Sequence, residues 1–381
     1  MQKEMIYLDN AATTALDPEV LKVIEETAQI FGNPSSIHQA GRKARTIIEE
    51  SRKKIASFLH CSPGEIFFTS GGTEADNWAI FGVLHKYPIK AIITSPIEHH
   101  AVLHTVEYWA QEKKIPLYFV NLLPDGHVDL DHLEDLLKKN APAFVSLMHG
   151  NNEIGNITSI KKTGELCKKY GAFFHSDTVQ TIGHFYFELN DFPVDYITCA
   201  AHKIHGPKGI GFLYVNNEAL IPPMILGGAQ ERGMRSGTEN VIGIAALAKA
   251  FEISQANRDK HLEHLKTLKK YFVNEIQKLP FEIAFNGDVE GKSLPQVVNV
   301  RFPKHPFPDA MIYRLDMNGV CASGGSACSS GSQSQSHVLK AIGVDPACPS
   351  VRFSFSHHTT LEELQNAIEI IFATVKDMYD H

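Results

Sequence analysis

Apolar positions along this chain follow two rhythms. From Pro18 to about Phe31 they recur at helical spacing (Val20, Ile24, Ala28), with Asp17 placed as an N-cap and Pro18 in the first turn. The run Gly32-Asn33-Pro34-Ser35-Ser36 breaks the pattern, and a second helix is predicted from about Ser36 to Leu59. Beyond it, short apolar runs read as strands: Ile66–Thr69, Ala91–Thr94, Leu117–Val120, Ala143–Met148, Phe173–Ser176, Tyr196–Ala200 and Gly211–Val215. Most are separated by segments of helical length and period: Glu74–Lys86, Ala101–Lys113, Leu130–Lys139 and Ile160–Tyr170. Such alternation predicts an α/β fold with a mostly parallel sheet covered on both faces. The remainder differs. One long charged helix is expected from Ala245 to about Leu279, then strands at Val297–Phe302, Gly319–Ser323 and Val351–Ser354, and a terminal helix from Leu361 to about Met378. This reads as a smaller α+β unit, so residues 16–250 are expected to form a large domain, and 1–15 with 251–381 a small one.

Composition narrows the function classes. The chain has 381 residues, 43% hydrophobic and 21% charged, enough to bury a large core without staples. A net charge of −7 argues against a mainly electrostatic nucleic-acid binder. No apolar run approaches membrane-spanning length, and the first residues lack a secretory apolar region, so a cytosolic protein is expected. Cys61, Cys167, Cys199, Cys321, Cys328 and Cys348 are scattered, which indicates neither a disulfide framework nor a zinc ribbon. The 20 histidines are many; surface positions account for most of them.

Three segments carry chemistry. Thr69-Ser70-Gly71-Gly72-Thr73-Glu74 follows a strand and opens a helix, which offers glycine backbone, a hydroxyl and free helix N–H groups to a phosphate. By itself it would serve equally as a plain strand–helix turn. Phe173-Phe174-His175-Ser176-Asp177 ends a buried strand in a carboxylate, with Gln180 just beyond. A carboxylate at that end of a sheet suits a cationic ring nitrogen, or a helix N-cap. Ala200-Ala201-His202-Lys203-Ile204-His205-Gly206-Pro207 sets Lys203 among histidines and a glycine turn, the surroundings of a lysine that forms a Schiff base with an aldehyde. A solvated lysine explains that setting poorly.

In this order the motifs resemble those of the NifS/IscS-type cysteine desulfurases, in the class V branch of the fold-type I pyridoxal-phosphate (PLP) enzymes. The resemblance extends through Tyr7-Leu8-Asp9-Asn10-Ala11-Ala12-Thr13-Thr14, Gly32-Asn33-Pro34-Ser35-Ser36-Ile37-His38, Glu98-His99-His100-Ala101-Val102 and Asn151-Asn152-Glu153-Ile154-Gly155. It continues in Arg232-Gly233-Met234-Arg235-Ser236-Gly237-Thr238, Gly325-Ser326-Ala327-Cys328-Ser329 and Val351-Arg352-Phe353-Ser354, and so covers nearly the whole chain. It implies that Lys203 holds PLP covalently, Asp177 pairs with the ring nitrogen, His99 stacks on the ring and shuttles protons, and Gln180 bonds the phenolate oxygen. Gly72, Thr73 and His202 would hold the phosphate, and Thr238 would reach the phosphate of a second subunit, implying a homodimer. Asn152, itself at the cofactor, and Arg352 would take the carboxylate of L-cysteine. Cys328, on a Gly/Ser-rich loop (about residues 321–336) expected to be mobile, would accept the sulfur as a persulfide, release alanine, pass the sulfur to an iron–sulfur scaffold or other acceptor, and transiently ligate iron.

The chain departs from the family pattern in three places. Ala200 stands where a phosphate-binding serine is usual, which removes one contact. Gln333-Ser334-Gln335-Ser336 replaces the usual Leu-Glu-Pro-Ser after the cysteine, and the sequence stops soon after its terminal helix, where IscS-type members carry a docking tail. The rival readings are a selenocysteine lyase or cysteine-sulfinate enzyme on the same scaffold, a class V aminotransferase with no use for Cys328, and an idle sulfur-relay scaffold, against which Lys203 and Cys328 both count. A metal site at His99, His100 and His104 has the helical spacing but no completing carboxylate or cysteine.

Overall fold

The computed structural model describes residues 5–324 and 335–380; Cys328, with the Gly/Ser segment 325–334, lies outside them. Twelve strands occur among the described residues: β1 (Ile6–Tyr7), β2 (Ile66–Thr69), β3 (Ala91–Thr94), β4 (Leu117–Phe119), β5 (Ala143–Ser146), β6 (Phe173–Asp177), β7 (Tyr196–Ala200), β8 (Gly211–Val215), β9 (Ala284–Phe285), β10 (Val297–Arg301), β11 (Val320–Cys321) and β12 (Ser350–Ser354).

Seven of them form the main sheet in the order β2-β8-β7-β6-β5-β3-β4. Its pairings are parallel except those of β8, which runs against both β2 and β7. Because β2 and β7 both oppose β8, they run the same way, and the carboxyl ends of β2, β6 and β7 lie along one edge. Ligands of open α/β sheets bind outside that edge. The strands read as continuous apolar runs because both faces are covered, yet their side chains still alternate. Ile66, Phe68, Ile93 and Val145 enter the core on one face, while Phe67, Ile92 and Phe144 enter the core on the other. Helix Gly72–Lys86 packs into the second core through Ala75, Trp78, Ala79 and Val83.

A three-stranded antiparallel sheet, in the order β12-β10-β9, carries its own core with Phe272, Phe302, Phe353 and Ile371. Strand β1 pairs in parallel with β11 (Ile6↔Val320, Tyr7↔Cys321), and Asp9 and Ser323 bridge to Ser354 and Arg352 of β12. The first described strand is therefore built into the same unit as the last. The single long helix expected after Ala245 is two helices, Val241–Ala256 and Arg258–Ile276. Asn257 separates them: its side-chain Nδ2 donates back to the Ile253 carbonyl at 3.0 Å, so the amide competes with helix propagation.

Candidate active site

Along the carboxyl edge of the main sheet opens a cavity of about 470 Å³. Its walls include Gly72, Thr73, His99, Asn152, Asp177 and Gln180. They also include Ala200, His202, Lys203 and Arg352. Of the predicted site residues that are described, only Thr238 stands apart; it is exposed and does not line the cavity.

Lys203 ends a short 3-10 turn, Ala201–Lys203, that directly follows β7. Its Nζ donates to the carbonyls of Ala11 and Ala12, both at 2.7 Å. Gln180 Nε2 also donates to the Ala11 carbonyl, at 2.9 Å. The segment after β1 thus orients the lysine, a role that no spacing in the sequence discloses.

Asp177 is the last residue of β6, and its Oδ1 accepts from the Val179 amide at 2.9 Å. Burial, then the nearby Asp76 carboxylate, raises its pKa to about 7. Asp76 reaches the same region from the helix that follows Gly72; burial lifts it to about 7 as well, and its Oδ1 has no hydrogen-bond partner. Behind them Glu98 accepts from the Met148 amide at 2.8 Å through Oε1, while Oε2 is buried without a partner and the group sits well above the usual carboxylate range. This floor carries acid with too little cation to match it. A protonated pyridine nitrogen would supply the missing charge, so the donor set fits PLP. The sequence reading missed Asp76 and Glu98. The signal for Asp76 was an aspartate one turn into the helix, directly after Ala75 and two residues before Trp78, on a face that packs into the core.

The phosphate end fits too. Helix Gly72–Lys86 begins after Gly71, which stands at φ 154° and gives no side-chain cap, so the first amides keep their donors for a ligand. A side chain at Gly72 would meet Val179 Cγ2 at 3.0 Å, which explains the glycine by close packing. Thr73 and His202 supply polar side chains on the cavity wall, and Ala200, where the family has serine, supplies none. Thr13 Oγ1 lies 3.2 Å from His202 Nδ1, and burial with the Lys203 charge lowers His202 to about 4.

His99 caps helix His100–Lys113. Its Nδ1 accepts from the Ala101 amide at 3.1 Å, which leaves the proton of the neutral ring on Nε2. Burial, then the charge of Lys203, lowers its pKa to about 4.

Arg352, on β12, is 1% exposed and crosses from the small sheet to the cavity. Its Nη1 donates to the Asn152 carbonyl at 2.9 Å and its Nη2 to Asp9 Oδ1 at 2.7 Å, while Nε has no partner. Asp9 Oδ1 also accepts from Ser323 Oγ at 2.8 Å. Asp9 and Ser323 were not picked out as site residues in the sequence, although Asp9 lies in the motif after β1.

Comparisons with known proteins agree with this geometry. The family model described as aminotransferase class-V matches residues 6–367. The chain is 41% identical over 374 residues to a protein of Dictyoglomus turgidum named cysteine desulfurase IscS, covering 97% of this chain and 94% of that one. A solved structure described as a NifS-like protein superposes with a TM-score of 0.89 at 35% identity, covering 98% of this chain and all of that one. Another, described as SspA in complex with cysteine, gives a TM-score of 0.80 at 29% identity, over 93% of this chain and 99% of that one.

Proposed function

The chain belongs to the aminotransferase class-V family, among the cysteine desulfurases, and from that premise we propose how its own residues take sulfur from L-cysteine. The observation that carries the reading is the meeting of Lys203, Asp177 and the uncapped Gly72 helix end in one cavity, with Arg352 on the same wall lining.

Lys203 is the covalent anchor for PLP and Asp177 the partner of its ring nitrogen. Gln180, Asn152 and His99 contact the ring, and Gly72, Thr73 and His202 hold the phosphate. Bound there, PLP supplies an electron sink for charge developing on the substrate. Arg352 and Asn152 bind the substrate carboxylate, the guanidinium by a fork that an ammonium cannot match. Neutral His99 offers a proton at Nε2 and stays neutral through the physiological range. Cys328 is the nucleophile: its thiolate sulfur bonds to the substrate sulfur, the substrate Cβ–S bond breaks, Cβ gains a proton, and L-alanine leaves. The persulfide stays on Cys328, and the electrons balance without an external oxidant.

The same reading makes Thr238 a contact to the phosphate of a partner subunit's cofactor. Exposed apolar side chains support a homodimer: Phe31 and Ile37 are each 91% exposed and Leu226 79%. Residues 16–250 form the cofactor-binding unit, and 1–15 with 251–381 the smaller one. No helix among the described residues is long and apolar enough to cross a membrane. A cytosolic setting, sulfur delivery to an iron–sulfur scaffold, and iron held as cargo at the Cys328 persulfide complete the assignment.

The test is a visible absorption spectrum before and after L-cysteine, with alanine and sulfide assayed in the same tube under a thiol reductant. A cofactor band that shifts, with alanine formed by the parent and lost in Cys328→Ala, is the expected result. A shift without alanine points to selenocysteine or cysteine sulfinate as substrate. No band after adding PLP overturns the Lys203 assignment.

A further inference from the structure

A second cluster of side chains lies outside this cavity. His205 follows Lys203 by two residues, while His357 and His358 follow β12, five and six residues beyond Arg352. The ligand nitrogens of these three histidines all lie within 4.8 Å of one another. We propose that His205, His357 and His358 form a binding site for a divalent first-row transition-metal ion of the zinc type.

Several independent features converge on it. His205 is 5% exposed, and its backbone sits in the left-handed region at φ 64°, which a non-glycine residue adopts at a cost. Its position is held by two contacts. The His205 amide donates to Thr14 Oγ1 at 2.8 Å, and Nδ1 lies 2.9 Å from the Ala15 carbonyl. With Nδ1–H directed at a carbonyl, the lone pair is on Nε2, the arrangement that orients metal-ligating histidines. His357 packs against other imidazoles: His261 stacks on it at 4.0 Å and 1°, and His205 and His358 stand at 4.3 Å and 4.0 Å. His205 and His357, but not His358, line a cavity of about 10 Å³ together with His184, His261 and Asp17, room for about one water-sized occupant. Asp17 Oδ2 lies 4.0 Å from His358 Nε2 and offers a carboxylate to complete or support the set.

Three imidazoles with a carboxylate or water select zinc, nickel or copper over calcium or magnesium. Nitrogen ligands lie at about 2.0–2.1 Å from zinc, so the cluster must contract by roughly an ångström. His358, 46% exposed, has the freedom to swing in. An ion bound there ties the turn that carries Lys203 to the segment that leaves the Arg352 strand.

The test is Zn²⁺ titration of the EDTA-treated holoenzyme by calorimetry, with the melting temperature read in parallel. One Zn²⁺ per chain and a melting temperature raised by Zn²⁺ are expected. His358→Ala, at an exposed position, should weaken binding at least about tenfold and abolish most of the shift, and His357→Ala should weaken it further. Asp125, His127 and Asp288 form the other group of potential ligands among the described residues, so His127→Ala serves as the control and should leave binding unchanged. Binding in His358→Ala and His357→Ala within twofold of the parent would overturn the proposal and put the ion elsewhere. Absence of saturable binding would overturn it equally. If His357→Ala does not fold, His358→Ala decides alone.

Discussion

Two arginines are buried to the same degree, each 1% exposed, and they are not used alike. Arg52 is matched on every side. It faces Glu231 through two bonds, Nη1 at 2.8 Å and Nη2 at 2.7 Å, and also donates to Glu49 and to the Ile66 carbonyl. Its guanidinium lies 4.7 Å from the Phe68 ring centre. Arg352 is held by single bonds to Asn152 and Asp9 and keeps Nε without a partner. The first joins helix Gln39–Phe58 to the segment around Glu231. The second stands on a cavity wall with capacity to spare. Asp177 repeats the lesson for acids, since burial and then the Asp76 carboxylate raise its pKa to about 7 and Lys203 offsets them only in part. Between these two arginines, the saturated one marks structure and the unsaturated one stands at the site.

The largest effect should come from breaking the saturated pair. Arg52→Ala leaves Glu231 buried without its cation, held only by the Phe68 amide at 2.9 Å, and urea unfolding should show a loss of about 3–5 kcal/mol. Replacing both partners by Met should recover most of that loss.

Asp177→Asn should run the opposite way. The folded carboxyl titrates near 7 and the unfolded one near 3.9, so the folded chain holds the extra proton between those values. Stability of the cofactor-free protein therefore falls as pH rises through that window. The Asn variant should flatten the fall and gain on the order of 4 kcal/mol at pH 8, but almost nothing at pH 4. Its alanine formation should drop to background. Thermal melts of the apoprotein against pH, with an alanine assay, read both.

Arg352→Lys keeps the charge and loses the fork. The KM for L-cysteine should rise roughly tenfold to a hundredfold, the worth of a charge-assisted hydrogen bond of about 1.5–3 kcal/mol. The melting temperature should change far less than in Arg52→Ala. If the two variants lose equal stability, the distinction between the arginines fails. The smallest effect belongs to Ser323→Ala, which removes one donor to Asp9 and should cost about 1 kcal/mol or less, read as a change in KM of no more than severalfold.

Much of this was legible in the chain. Ile66–Thr69, Ala91–Thr94, Tyr196–Ala200 and Gly211–Val215 begin and end as their apolar runs do, because a strand covered on both faces writes its whole length in apolar residues. Helix Ala310–Met317 escaped because it is short and follows Pro306 and Pro308. Strand β9 has two residues and no period. The reversal of β8 was recoverable in principle, since ten residues between Ala200 and Gly211 are too few for a parallel crossover. Lys203, Asp177 and Gly72 stood out because local sequence surrounds them. Asp9, Asp76 and the carbonyls of Ala11 and Ala12 act through partners far along the chain, such as Arg352 and Lys203, and no window of sequence contains both ends of those bonds.

The pairing of Ile6 with Val320 also sets a clock. During synthesis at about 5–20 residues per second, β1 waits roughly fifteen seconds to a minute for its partner strand. Until then the segment that carries the Ala11 and Ala12 carbonyls is anchored on one side only, through Thr13 and Thr14 at His202 and His205, and Arg352 has not been made. A nascent chain can complete the main sheet long before it has a finished active site, and cofactor competence should arrive only near the end of translation.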